Sequence, residues 1–197
     1  MTAREPALPM TSAEALALYD SLEPVSIDFM LGAWQGSGFA TGHPLDGVLE
    51  ACHWHGKQFH DADHVDPLVF RGLGGKLYQL NPALMPMGML DSVPAKDSPL
   101  LGRAFQLLMP LLQTRRSRAR LRMIEYRGKT TAAMLYDDLP INDVFRKLDD
   151  DNVLGIMDLK GMAQPFFFRL HRQQGTLTPT MHRLQPNQGH VQEPPSS

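Results

Sequence analysis

From Ser117 to Arg172 apolar residues recur with period two, and turn signals interrupt the run at regular spacing. Side chains on a strand alternate between its two faces, so this pattern predicts antiparallel β structure. The stretch "RARLRMIEYRGKTTAAMLYDD" reads as a hairpin turning at Arg127-Gly128. Such a turn sets Tyr126 opposite Lys129 and Glu125 opposite Thr130. One face then carries Ala119, Leu121, Met123, Thr130, Ala132, Met134 and Tyr136, while the first strand's other face carries Arg118, Arg120 and Arg122. The first face is expected to point inward. Glu125 and Asp138 ride on it near the strand ends, as water-satisfied rim residues or as acids with a function.

A second hairpin follows in "INDVFRKLDDDNVLGIMDLKG". Pairing symmetric about Asp150-Asp151 sets Phe145 opposite Ile156 and Asp143 opposite Asp158. Facing carboxylates repel, so this arrangement needs an intervening cation, a shared proton or water. A structural arginine clamp, with Arg146 as one donor, and a functional acid pair both satisfy it. The last strand, "FFFRLHR", sends Phe166, Phe168 and Leu170 to one face and Phe167, Arg169 and His171 to the other.

Near the start, "FMLGAWQGSGF" sets Trp34 among Gly32, Gly36 and Gly38. Glycines in a strand mark a bend or a close backbone approach, and a large aromatic fills space. The expectation is a first strand that curves around Trp34, with the indole plugging one end of a small barrel. Before it, residues 1–25 read as an arm followed by a short helix from Ser12 to about Leu22. After it, Leu45, Val48, Leu49 and Cys52 fall at helical spacing, with Gly56 as the expected stop. Residues 76–80 look like a strand. The proline- and methionine-rich segment 81–94 is expected to be irregular, and a helix opening at Ser98-Pro99 should kink near Pro110. One domain over 26–172 results, made of segments 26–80, 81–115 and 116–172. The polar, proline-rich residues 173–197 are expected to be disordered.

The chain's 197 residues suffice for one core. Its formal net charge is −2, which gives no reason to expect nucleic acid or an anionic membrane as the main partner. The single cysteine, Cys52, excludes an internal disulfide and fits a reducing cytoplasm. The N-terminus lacks a signal-peptide layout, and no apolar run is long enough to span a bilayer. A soluble cytoplasmic protein is the expectation; the sequence says nothing of its oligomeric state.

The stretch 52–67 holds His53, His55, His60 and His64 with Asp61, Asp63 and Asp66. His60 and His64 are spaced to share a helix face, but the metalloprotease glutamate is replaced by Asp61. Surface histidines are the expectation, with no bound metal, although one histidine suffices as an axial ligand to haem iron. Lys57, flanked by Trp54 and Phe59, is the better candidate for recognising an anion, its stem lying against aromatics.

Several blocks taken together, "LGAWQG", "GKQFHDADHVDPLVF" and the run from Arg118 to Gly161, resemble the bacterial proteins defined by a GXWXG motif joined to a C-terminal domain of unknown function. Gly32, Trp34 and Gly36 match the naming motif. Lys57 and Phe59 match the second block, and Glu125, Tyr126, Tyr136, Asp138, Asp143, Arg146, Asp158 and Gly161 the third. The resemblance brings no established reaction. The Gly-Trp opening is also similar to lipocalin, fatty-acid-binding and nitrobindin barrels, which hold apolar small molecules or haem. The fold expected is mainly β, an antiparallel calycin-like β-barrel with helical insertions between the first strand and the C-terminal strands.

Two functions remain open. One is binding of a small apolar ligand (lipid, isoprenoid or haem-like) contacted by Trp54, Lys57, His60, Met85, Met87, Met123 and Met134, with 81–94 as a lid. The other is acid–base catalysis of isomerase, cyclase or lyase type by Glu125, Tyr136, Asp143 or Asp158. The absence of a phosphate loop, nucleophile elbow or dinucleotide fingerprint disfavours hydrolase and nicotinamide-dependent chemistry. No cofactor other than haem is indicated.

Overall fold

The computed structural model describes residues 10–85 and 99–174. The segment 86–98, which includes Met87, and the tail from 175 lie outside the described residues, so the disordered tail and the 81–94 lid beyond Met85 do too; within the described part Pro82–Leu84 form one short 3-10 turn. The protein is mainly β. Its strands are β1 (Glu23–Pro24), β2 (Gly32–Gly38), β3 (Trp54–Phe59), β4 (Val65–Arg71), β5 (Leu77–Gln79), β6 (Ala119–Tyr126), β7 (Lys129–Tyr136), β8 (Ile141–Lys147), β9 (Asn152–Leu159) and β10 (Phe166–Arg172). The helices are α1 (Ser12–Ser21), α2 (Ile27–Met30), α3 (Val48–Ala51) and α4 (Pro99–Leu112).

All the strands belong to one antiparallel sheet, ordered β8-β7-β6-β4-β3-β2-β10-β9. Strand β9 also pairs with β8, so the order closes into a ring, with β1 added to β8 and β5 to β4. The thinnest link joins β4 to β6 through one partner pair, Val65 and Ala119.

The first C-terminal hairpin forms in the expected register, from Tyr126↔Lys129 to Ala119↔Tyr136. Arg127 and Gly128 both have positive φ, 51° and 74°, as a two-residue type I′ turn requires. Ala119, Leu121, Ala132, Met134 and Tyr136 face the inner core. Met123, Glu125 and Thr130 share that face but emerge into solvent beyond it.

The second hairpin corrects the expected register by one residue. Its loop has three residues, Asp149 to Asp151, with the Leu148 amide donating to Asn152 O at 2.9 Å. The Asp149 carboxylate closes the turn, accepting from the Asp151 amide at 2.9 Å and from Asn152 Nδ2 at 2.8 Å. An odd loop places Phe145 opposite Gly155, Asp143 opposite Met157 and Asn142 opposite Asp158. A one-residue slip reverses every facing. Asp143 and Asp158 therefore lie on opposite faces and form no pair.

Residues 48–59 differ from expectation as well. Helix α3 ends at Ala51, and Gly56 lies inside β3 at φ 144°, where a Cβ would collide with the Trp34 carbonyl. Gly56 serves a close approach of β3 to β2 and stops no helix. His60 and His64 share no helix face; they bracket the β3–β4 turn, where the His60 amide donates to His64 O at 3.0 Å. Strand β4, which no clear pattern marked, supplies the next rung.

The core has two layers. Inside the ring Trp34 is 1% exposed, its Nε1 donating to Met30 O at 2.8 Å. The Arg172 guanidinium lies 4.3 Å from its ring centre and donates to Leu31 O and Phe29 O. Gly36 leaves room for the second indole, since a Cβ there would run into the Trp54 ring. Outside the ring, α1 lays Ala15 and Tyr19 on Phe39, Leu154, Ile156 and Phe167. A Thr11–Glu14 capping box opens α1. Phe167 and Phe168 thus serve different layers, as the alternation in "FFFRLHR" predicts.

Candidate functional site: a buried lysine–aspartate pair inside the ring

Strand β3 is where the ladder is least regular. Its register with β4 shifts on both sides of Gly56. Pro67 on β4 has no N–H to give a ladder, which suits an irregular stretch. Irregularities of this kind re-aim side chains. Here Lys57 reaches a buried position, 4% exposed, and its Nζ donates to Pro67 O at 3.1 Å.

The same Nζ lies 2.7 Å from Asp143 Oδ2, and Asp143 is only 2% exposed. Three rings enclose the ammonium: Phe168, Trp54 and Tyr136, with centres 5.2, 5.5 and 5.7 Å away. Aromatic faces attract cations, more strongly where water is excluded. Asp143 is flanked on the ladder by Met134 of β7 and Met157 of β9.

Burial pushes the Asp143 carboxyl above the usual carboxylate range; the Lys57 charge, its hydrogen bond and the Tyr136 hydroxyl pull it back only in part. Burial likewise holds the Tyr136 phenol well above its ordinary value, and the Asp143 charge adds to the shift. Two buried polar atoms of the residues around the ammonium have no hydrogen-bond partner among the described residues, Asp143 Oδ1 and Trp54 Nε1. Unmatched buried groups cost stability, so such a pair calls for an explanation. The arrangement offers one acceptor, one donor and a carboxyl whose ionisation burial disfavours.

Met157 also lines a cleft of about 500 Å³, together with His43, Leu45, Leu159 and Met162. Met157 and Asp143 are cross-strand partners, so they share a face, and Met157 alone links the cleft to the site.

The sequence candidates divide sharply. Lys57, Trp54, Tyr136, Asp143 and Met134 meet at one place. Glu125 and Met123 are exposed, and His60 is exposed in the turn, bonded to Asp66 Oδ2 at 2.9 Å. Met85 packs at the core's margin, outside the pair. Asp158 stands opposite Asn142, on the face away from Asp143, where burial holds the Tyr126 phenol up and the Asp158 charge adds to the shift. Arg146 clamps neither Asp143 nor Asp158. It is fully buried on the outer face of β8, donating to Tyr126 O at 2.8 Å, with its guanidinium 5.2 Å from the Tyr19 ring centre. The sequence reading missed Lys57 as Asp143's partner; the one available signal was a lysine inside the aromatic run "WHGKQF". Met157 was not singled out at all. Among the described residues no three His, Cys, Asp or Glu side chains are grouped to hold a metal ion, and no helix is long and apolar enough to cross a membrane.

Comparison with known proteins agrees with the motif. A family model described as GXWXG protein matches residues 17–75, and one described as Domain of unknown function (DUF4334) matches residues 117–172. No curated protein matches. The chain is similar to a protein from Thermomonospora curvata whose crystal structure is known, at 37% identity and a TM-score of 0.61, over 82% of this chain and 86% of that one. With Lys57 and Trp54 inside the first matched segment and Tyr136 and Asp143 inside the second, the chain belongs to the family of GXWXG proteins with a C-terminal DUF4334 domain.

Proposed function

We propose that the protein binds a small, largely apolar molecule, a lipid or isoprenoid, whose one polar group sits at the Lys57–Asp143–Tyr136 cluster. The observation that carries this reading is the buried ion pair walled by three aromatic rings. Burying an ion pair is seldom the most stable way to fill a core, so its retention favours a role in recognition. The unpartnered Asp143 Oδ1 and Trp54 Nε1 suit a ligand group that both donates and accepts a hydrogen bond, and the cleft with Met157 and Met162 suits an apolar body. The closed strand order supports a calycin-like barrel as the container.

A second reading uses the same residues for acid–base chemistry. It draws on the raised Asp143 carboxyl, which keeps a proton within reach of neutral pH better than an exposed aspartate does. Native mass spectrometry of freshly purified protein tests the first reading: an apolar adduct should accompany the wild-type chain and be lost from Asp143→Asn. Adduct-free wild-type protein that also binds no fatty acid or isoprenoid alcohol by calorimetry refutes ligand binding. Turnover of an added isoprenoid substrate, abolished in Asp143→Asn, moves the enzyme reading to first place.

A further inference from the structure

We infer that the face formed by α4 and the adjoining β5 segment docks on an anionic lipid surface. This stands apart from the ligand-binding reading, since it concerns different residues. Six of the seven large exposed hydrophobics among the described residues belong to two segments: Leu73, Leu77 and Leu84 in one, Leu107, Leu108 and Leu111 in the other. On α4 the exposure is large, 68% for Leu107, 51% for Leu108 and 77% for Leu111.

Hydrogen bonds join the two segments. Leu80 bridges Gln113, the Asn81 amide donates to Leu112 O at 2.9 Å, and the Thr114 amide donates to Gln79 O at 2.9 Å. Gln106 Nε2 donates to Arg71 O at 3.3 Å at the other end. The leucines therefore form one region of the surface, and a clustered apolar region marks an interaction site where scattered leucines do not.

Charge selects the partner. From Pro99 to Ile124 the sequence holds six arginines and no acidic residue. Arg118, Arg120 and Arg122 are paired with Asp138, Asp137 and Asp63. Arg103, Arg115 and Arg116 are exposed and form no ion pair among the described residues. Arg103 lies one turn before Leu107 on the same helix face. Lys76, also exposed, stands beside Leu77. Leucines rimmed by cations that form no ion pair among the described residues match the interface of an anionic bilayer, where the leucines enter the acyl boundary and the cations meet headgroups. The net charge of −2 conceals this, because no acidic residue falls between Pro99 and Ile124 to offset the six arginines there. Docking here requires no membrane-spanning segment.

Co-sedimentation of the full chain with phosphatidylcholine vesicles, with and without phosphatidylserine, tests the inference. Binding is expected only with phosphatidylserine, and raised salt should weaken it. Leu107→Ser/Leu108→Ser/Leu111→Ser should lower affinity at least about tenfold. Each of Arg103→Gln, Arg115→Gln and Arg116→Gln should lower it about fivefold. These positions are exposed, so unchanged urea midpoints confirm that the variants fold. Equal binding to both vesicle types, or none to either, overturns the inference. So does a dimer in light scattering that the triple serine variant converts to monomer, which would make a second copy of the chain the occupant.

Discussion

Removing either member of the Lys57–Asp143 pair should have unequal effects, and the structure says which is worse. Lys57→Met leaves Asp143 buried with the Tyr136 hydroxyl as its remaining support, its Oδ1 being unpartnered already. Breaking a buried pair in this way costs about 3–5 kcal/mol. Total stability is about 5–15 kcal/mol, so a large share is lost. Asp143→Asn is different. The Asp143 carboxyl is held above its ordinary value, so its ionised form is less favourable in the folded chain than in the unfolded one. A neutral isostere removes that penalty, and the ammonium keeps Pro67 O and its three rings. Asp143→Asn should therefore cost less than Lys57→Met, because the ammonium left behind keeps those partners and can still meet the asparagine side-chain oxygen. The pH dependence has the same sign. Stability from Asp143 is fully present below the unfolded carboxylate value of about 3.9 and falls as pH rises toward the raised folded value. The wild type should show that fall, Asp143→Asn should lack it, and the cost of Lys57→Met should shrink on acidification. Urea denaturation of the three proteins across a pH series measures all of this. An Asp143→Asn cost equal to that of Lys57→Met near neutral pH would refute the reasoning, for it would mean that attraction outweighs burial.

Trp34→Ala should cost about 3–5 kcal/mol, because the indole is enclosed by Met30, Phe29 and the Arg172 guanidinium; an unchanged denaturation midpoint would dismiss its role in sealing that end of the ring. The His60 imidazole, bonded to Asp66, should titrate above the ordinary histidine value by NMR, and Asp66→Asn should return it there. Asp149→Ala should cost about 1 kcal/mol by removing the acceptor that closes the β8–β9 loop, with amide exchange at Asp151 rising most.

Alternation along the C-terminal half was enough to predict antiparallel strands, the Arg127-Gly128 turn, the inward face of β6 and β7, and the split between Phe167 and Phe168. These are local properties: a two-residue period and a two-residue turn leave one register. Trp34 and its glycines also carried a local message, that a large ring and close backbones meet in β2. The second hairpin shows the limit. "DDD" allows a two- or a three-residue loop, and the Asp149 side chain, reaching two and three residues along, selects three. That choice turns Asp143 toward the ring's interior opposite Met157 and sends Asp158 to the other face. The pairing of Lys57 with Asp143 was beyond any local pattern. Eighty-six positions separate them in the sequence, and they meet because the strand order closes while β3 loses its register beside Pro67. Side-chain period and turn chemistry are written within a few residues of one another. Which buried charge finds which partner depends on ring closure, a property of all the strands at once.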